Sequence, residues 1–187
     1  MKYTGTGSFK FDITPIGRRF YEWSRAKTGQ PSEQVQKQVK SHVTGDKFRS
    51  TYPLAFEKWS KADSRLWASE SHGELSVIGH LCREAMQEFV TVLVNKYNPT
   101  NVDTDKAHDI ARLKAVLKNR SDKIPTTIIP FLEAIISYWG TLADLIQRQE
   151  HSGQKEGHAI EWEDARRVVF HTAVVFLEID RILSATA

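Results

Sequence analysis

From Pro53 onward, apolar positions return every three to four residues, the spacing of helices that each turn one face to a shared core. Leu54, Phe56, Trp59, Ala62, Leu66 and Trp67 make the first stripe, which SESHG interrupts. The next helix spans about 74–97 and carries Leu75, Ile78, Leu81, Cys82, Ala85, Met86, Phe89, Val92 and Leu93 on one broad face. Asn98-Pro99 stops it, because a residue before proline is steered out of the helical region. A shorter helix over about 105–118 offers Ile110, Leu113 and Leu117. After KIP, a helix over about 127–149 presents Leu132, Ile135, Ile136, Trp139, Leu142, Leu145 and Ile146. The last begins near Trp162, and at about 100° per residue Ala165, Val168, Val169, Thr172, Phe176, Ile179 and Leu183 form its core stripe.

The first 52 residues are patterned more weakly. Phe9, Phe11 and Ile13 alternate like a short strand. Thr14-Pro15 supplies an N-cap and a first-turn proline for a helix carrying Ile16, Phe20 and Trp23. A second helix follows Ser32, but it is mostly polar and offers only Val35, Val39 and Val43, so a surface position is expected before Gly45-Asp46 ends it. No strand–helix alternation and no internal repeat occurs. The expected class is therefore all-α. An antiparallel helical bundle of four to five long helices (53–187) follows an N-terminal helical extension (1–52).

Composition narrows the classes further. With 40% hydrophobic and 26% charged residues in 187, the chain can build a core and is not of disordered type. No apolar run approaches the roughly 20 residues that span a bilayer, and MKYTGTGSFKF lacks a secretory signal's apolar stretch. Cys82 is the single cysteine, which excludes an internal disulfide or a Cys-rich zinc site and suits a reducing compartment. A cytoplasmic location is expected, with Cys82 as a small core residue. The net charge of +3 and pI near 8.9 permit an RNA substrate without arguing for one, since no dense basic stripe is present.

Most catalytic templates are missing. There is no phosphate-cradling glycine loop, no G-x-S-x-G, no H-E-x-x-H and no Glu-x-x-His. His80, Glu84 and Glu88 share one helix face, but such spacing more often marks a solvated face than a ligand set, so no metal and no cofactor are expected. The stretch LIQRQEHSGQKEGH gathers Arg148, His151 and Lys155, either as cations suited to a helix C-terminus or as a rim for an anion.

WEDARRVVFHTAVVFLEIDR, residues 162–181, is the most informative stretch. Arg166, Arg167 and His171 are set into a helix otherwise apolar on most sides. Asp164, Arg167, His171, Glu178 and Arg181 survive as one polar row. An imidazole sheltered by valines beside a guanidinium leans toward its neutral form, which can take or give a proton near neutral pH. The structural alternative pairs Arg167 with Asp164 and Arg181 with Glu178, and leaves His171 as a partly buried residue bonded to a neighbouring helix.

RRVVFH also contains Arg-x4-His, from Arg166 to His171, on the last long helix of the expected bundle. In this it resembles the HEPN superfamily, and IGHLCREAMQEFVTVLV is similar to an early helix of that class. The resemblance covers about residues 53–187. It implies a metal-independent endoribonuclease of the toxin–antitoxin or phage-defence kind, acting where two protomers of a homodimer meet, with RNA as substrate and an antitoxin as a further partner. Under it, His171 does the proton work, Arg166 and Arg167 hold the phosphate, and Arg148, His151 and Lys155 make outer contacts. The chain departs from the pattern where the family has Asn, Asp or His after the arginine, since Arg167 stands there. A regular helix also rotates Arg166 about 140° from His171, leaving Arg167 as the co-facial partner. The rival expectation is a non-catalytic helical module that binds a protein or dimerises, for which five tryptophans and five tyrosines supply interface material.

Overall fold

The computed structural model describes residues 14–28, 31–68, 72–151 and 161–185; the strand expected over Phe9–Ile13 lies outside them. Among the described residues there are eight α-helices and no strand, so the fold is all-α. The helices are α1 (Pro15–Thr28), α2 (Pro31–Thr44), α3 (Asp46–Thr51), α4 (Pro53–Ala68), α5 (His72–Tyr97), α6 (Asp109–Asn119), α7 (Ile129–His151) and α8 (Trp162–Ala185).

Their ends follow local chemistry. Thr14 caps α1, its Oγ1 accepting the Gly17 amide at 3.1 Å. Asn98 ends α5 in the left-handed region at φ 43°, donating its amide to the Val94 carbonyl at 2.8 Å, and Pro99 follows at once. Asp105 caps a 3₁₀ turn (Lys106–His108) that leads into α6, so the α-helix proper starts four residues later than the apolar spacing suggested.

Long-range pairs set the packing. Tyr52 meets Asp180, Trp59 Nε1 donates to the Val169 carbonyl, and Trp162 Nε1 donates to the Leu66 carbonyl. Rising numbers on α4 thus meet falling numbers on α8, and the two run antiparallel. Phe89 against Phe176 and Tyr97 Oη bonded to the Leu183 carbonyl show that α5 runs parallel to α8. Tyr52–Phe89 and Lys58–Glu84 set α4 antiparallel to α5. Helix α7 leans on α8 through Trp139 Nε1, which donates to Thr172 Oγ1 at 3.0 Å. Helix α6 meets α7 where the Ile110 side chain lies over Gly140.

Two features depart from expectation. Helix α2 does not lie merely on the surface: Val39 and Val43 are buried, and α2 packs on α8, although Val35 stays exposed. The six residues of α3 place Phe48 in the centre of the core, with Tyr52 just after them. Phe48, Tyr52, Phe89 and Phe176 form one aromatic cluster with ring centroids 4.6–6.1 Å apart. Cys82 is fully buried as expected, and burial pushes its thiol up to about 12, removing thiolate chemistry. No helix among the described residues is long and apolar enough to cross a membrane.

Candidate functional site

Helix α8 has a buried stripe that matches its sequence pattern, and the charged groups of its first half divide between two sides of it. His171 is half-buried, with the Tyr138 ring at 5.1 Å and the Phe170 ring at 5.2 Å. Its pKa is lowered, first by burial and then by the charges of Arg167 and Arg166. Arg167, one turn away, is exposed and reaches Asp164 at 3.5 Å. Arg166 donates from Nε to Glu163 Oε2 at 2.9 Å and lies 4.0 Å from Glu22 of α1. Arg148 and His151 fall within α7, but their side chains lie outside the described part, as does Lys155.

Arg166 therefore opens onto another region. It lines a cavity of about 690 Å³ whose wall includes neither Arg167 nor His171. Four residues of α8 at helical spacing (Arg166, Val169, Phe170, Ala173) make one side. Trp59, Asp63, Leu66 and Trp67 of α4 make the floor, Val39 and Lys40 of α2 one edge, and Ile16, Arg19, Phe20 and Trp23 of α1 the cover. The volume falls within the range of roughly 300–1,000 Å³ typical of small-molecule sites. Most of the lining is aromatic or aliphatic, with a few charged groups among it.

Helix α1 is an unusual cover. Of its residues with described side chains only Arg19 is buried, at 6% exposure, whereas Ile16, Phe20, Tyr21 and Trp23 are all exposed. Arg19 donates from Nε to the Pro15 carbonyl at 3.2 Å and from Nη1 to the Trp67 carbonyl at 2.9 Å, tying α1 to the C-terminal turn of α4. Those last helix carbonyls have no intrahelical partner, which makes them good acceptors for a cation.

On the α5 face that carries His80 the two carboxylates are already paired. Glu84 pairs with Lys58 at 2.8 Å and Glu88 with Lys106 at 3.1 Å, so the carboxylates near His80 are neutralised by lysines. Among the described residues no three His, Cys, Asp or Glu side chains cluster as a metal site. No family model, curated protein or solved structure matches the chain.

Sequence reasoning missed Arg19, Trp59 and Trp67 as site residues. One signal was available. Ile16, Arg19, Phe20 and Trp23 share a face of α1, so a guanidinium sits inside an apolar stripe there just as in α8. What lay opposite that stripe was not legible, since α1 and the α4 end it meets are 48 residues apart.

Proposed function

We propose that the protein is a non-catalytic helical binding module that holds a small apolar ligand between α1 and the α2–α4–α8 face. The observation that carries this reading is the cavity of about 690 Å³ with Trp23, Trp59 and Trp67 in its wall. The wall is mostly aromatic and aliphatic and opens to solvent on one side, so an apolar ligand entering it takes its own surface and the wall's out of water together. Because three tryptophans line the space, uptake of decan-1-ol changes intrinsic fluorescence saturably. Ala173→Leu, which adds bulk to the wall, removes that response while the circular dichroism spectrum stays helical. Saturable uptake that survives Ala173→Leu undiminished rejects this cavity as the site.

A second reading, the endoribonuclease implied by the HEPN resemblance, draws on one observation: His171 is held toward its neutral form beside Arg167 and within the field of Arg166. A neutral imidazole can act as base toward a 2′-hydroxyl, and Arg167 can hold the phosphate. Arg166, paired with Glu163 on the cavity side, fits that role less well. On this reading the protein is a homodimer, an antitoxin is its natural protein partner, and the lowered pKa carries the acid limb of the rate profile below the ordinary histidine value of 6.5. His171→Ala and Arg167→Ala then abolish RNA cleavage with thermal stability nearly unchanged. Intact RNA after long incubation with folded wild-type protein, and a monomer by light scattering, retire it.

A further inference from the structure

Resting on the cavity reading above, we infer that the ligand is an anionic amphiphile, a long-chain carboxylate whose head group is held by Arg19. The cavity wall carries four cations (Arg19, Lys37, Lys40, Arg166) and two carboxylates (Glu22, Asp63), an excess of two positive charges. Lys40 pairs with Asp63, and Arg166 is shared between Glu163 and Glu22. Arg19 and Lys37 remain, neither with an ion-pair partner among the described residues.

Lys37 is exposed and hydrated, so its charge is of little consequence. Arg19 is different. It is 94% buried, taking its exposure of 6%, and its two hydrogen bonds go to neutral carbonyls. Buried guanidinium groups are ordinarily paired with a carboxylate or phosphate, since desolvation of an unpaired charge is severe. The C-terminus of α4 offsets part of this with its partial negative charge of roughly one half. A carboxylate would supply the rest, and the fork of the guanidinium, with donors beyond the two in use, suits it. The remaining wall dictates the other end of the molecule. Trp59, Leu66, Trp67, Val169 and Phe170 offer a largely apolar sleeve, which fits an alkyl chain better than a sugar or nucleotide.

The test compares three probes on the full chain by tryptophan fluorescence and calorimetry, at mildly alkaline pH and below micelle-forming concentrations. Dodecanoate carries head and tail, dodecan-1-ol the tail alone, and acetate the head alone. The expected order is dodecanoate tighter than dodecan-1-ol by roughly tenfold or more, the worth of one charge-assisted contact, with acetate undetectable. In Arg19→Met the preference disappears, and dodecanoate binds no tighter than dodecan-1-ol. Should α1 detach in that variant, the wild-type ratio still decides. Equal affinity of dodecanoate and dodecan-1-ol overturns the anionic head group and leaves the cavity reading standing. Failure of both to bind overturns the cavity reading as well. Binding of acetate as tight as dodecanoate assigns Arg19 a simple anion site and also rejects the proposal.

Discussion

Phe176→Ala is expected to cost roughly 3–5 kcal/mol, the largest loss of any single change considered for this chain. Phe176 is fully buried on α8 and touches the Phe89 ring of α5 at 4.6 Å and the Phe48 ring at 5.4 Å. Truncation empties the point where α3, α5 and α8 converge, and surrounding rings cannot collapse into the void without leaving their own tilted contacts. Since domains of this kind carry about 5–15 kcal/mol in total, the variant should be marginal at body temperature. Phe176→Leu keeps much of the volume and should cost far less. Urea unfolding reads both: the midpoint falls steeply for the alanine variant, with the slope against denaturant unchanged. A loss under about 1 kcal/mol for Phe176→Ala would mean that the aromatic cluster is not the centre of the core.

The second large effect belongs to Asp180. Its Oδ1 accepts from Tyr52 Oη at 2.9 Å, and its Oδ2 stands 3.1 Å from His42 Nε2. That second pair is close enough for attraction but poorly aligned, and the buried Nε2 makes no true hydrogen bond. Asp180→Ala strands the Tyr52 hydroxyl in the core and removes the carboxylate beside His42. The expected cost is roughly 2–4 kcal/mol, against about 1 kcal/mol for Tyr52→Phe, which removes the donor and leaves Asp180 its other contacts. This junction also gives stability a pH dependence. Burial lowers the His42 pKa below 6.5, and Arg181 and Lys47 act in the same direction, while Asp180 opposes them. The unfolded chain therefore binds a proton at a pH where the folded chain does not. Stability is full above 6.5 and declines as the pH falls from there toward the lowered folded pKa. His171 shifts in the same sense, so the two add. In His42→Gln the decline over that window is shallower. A wild-type stability flat from neutrality to mildly acid pH would contradict the assignment.

The long helices were legible because their apolar residues repeat over three or more turns. On α8, all seven residues of the expected stripe, from Ala165 to Leu183, are buried. Helix α2 does lie at the surface with most of its described side chains exposed, but three valines four residues apart are a thin stripe that did not reveal its partner, and two of them suffice where α8 lies against them. Helix α3 escaped notice because six residues between Gly45 and Tyr52 are too few to show a period. The site was legible in part. The rotation between Arg166 and His171 could be foreseen from helix geometry, and the structure places Arg166 in a cavity wall that His171 does not join. The cavity itself could not be foreseen, since it exists only where α1 docks on α4 and α8.

If this cavity is a binding site, the five indole N–H groups of the chain report on its occupancy separately. Trp23, Trp59 and Trp67 line the cavity, whereas Trp139 lies on the far side of α8, bonded to Thr172. Titration of isotopically labelled protein with dodecanoate, followed by indole resonances, should shift Trp59 and Trp67 saturably and leave Trp139 in place. Resonances that all stay fixed, or a Trp139 signal that moves as far as Trp59, would contradict the account.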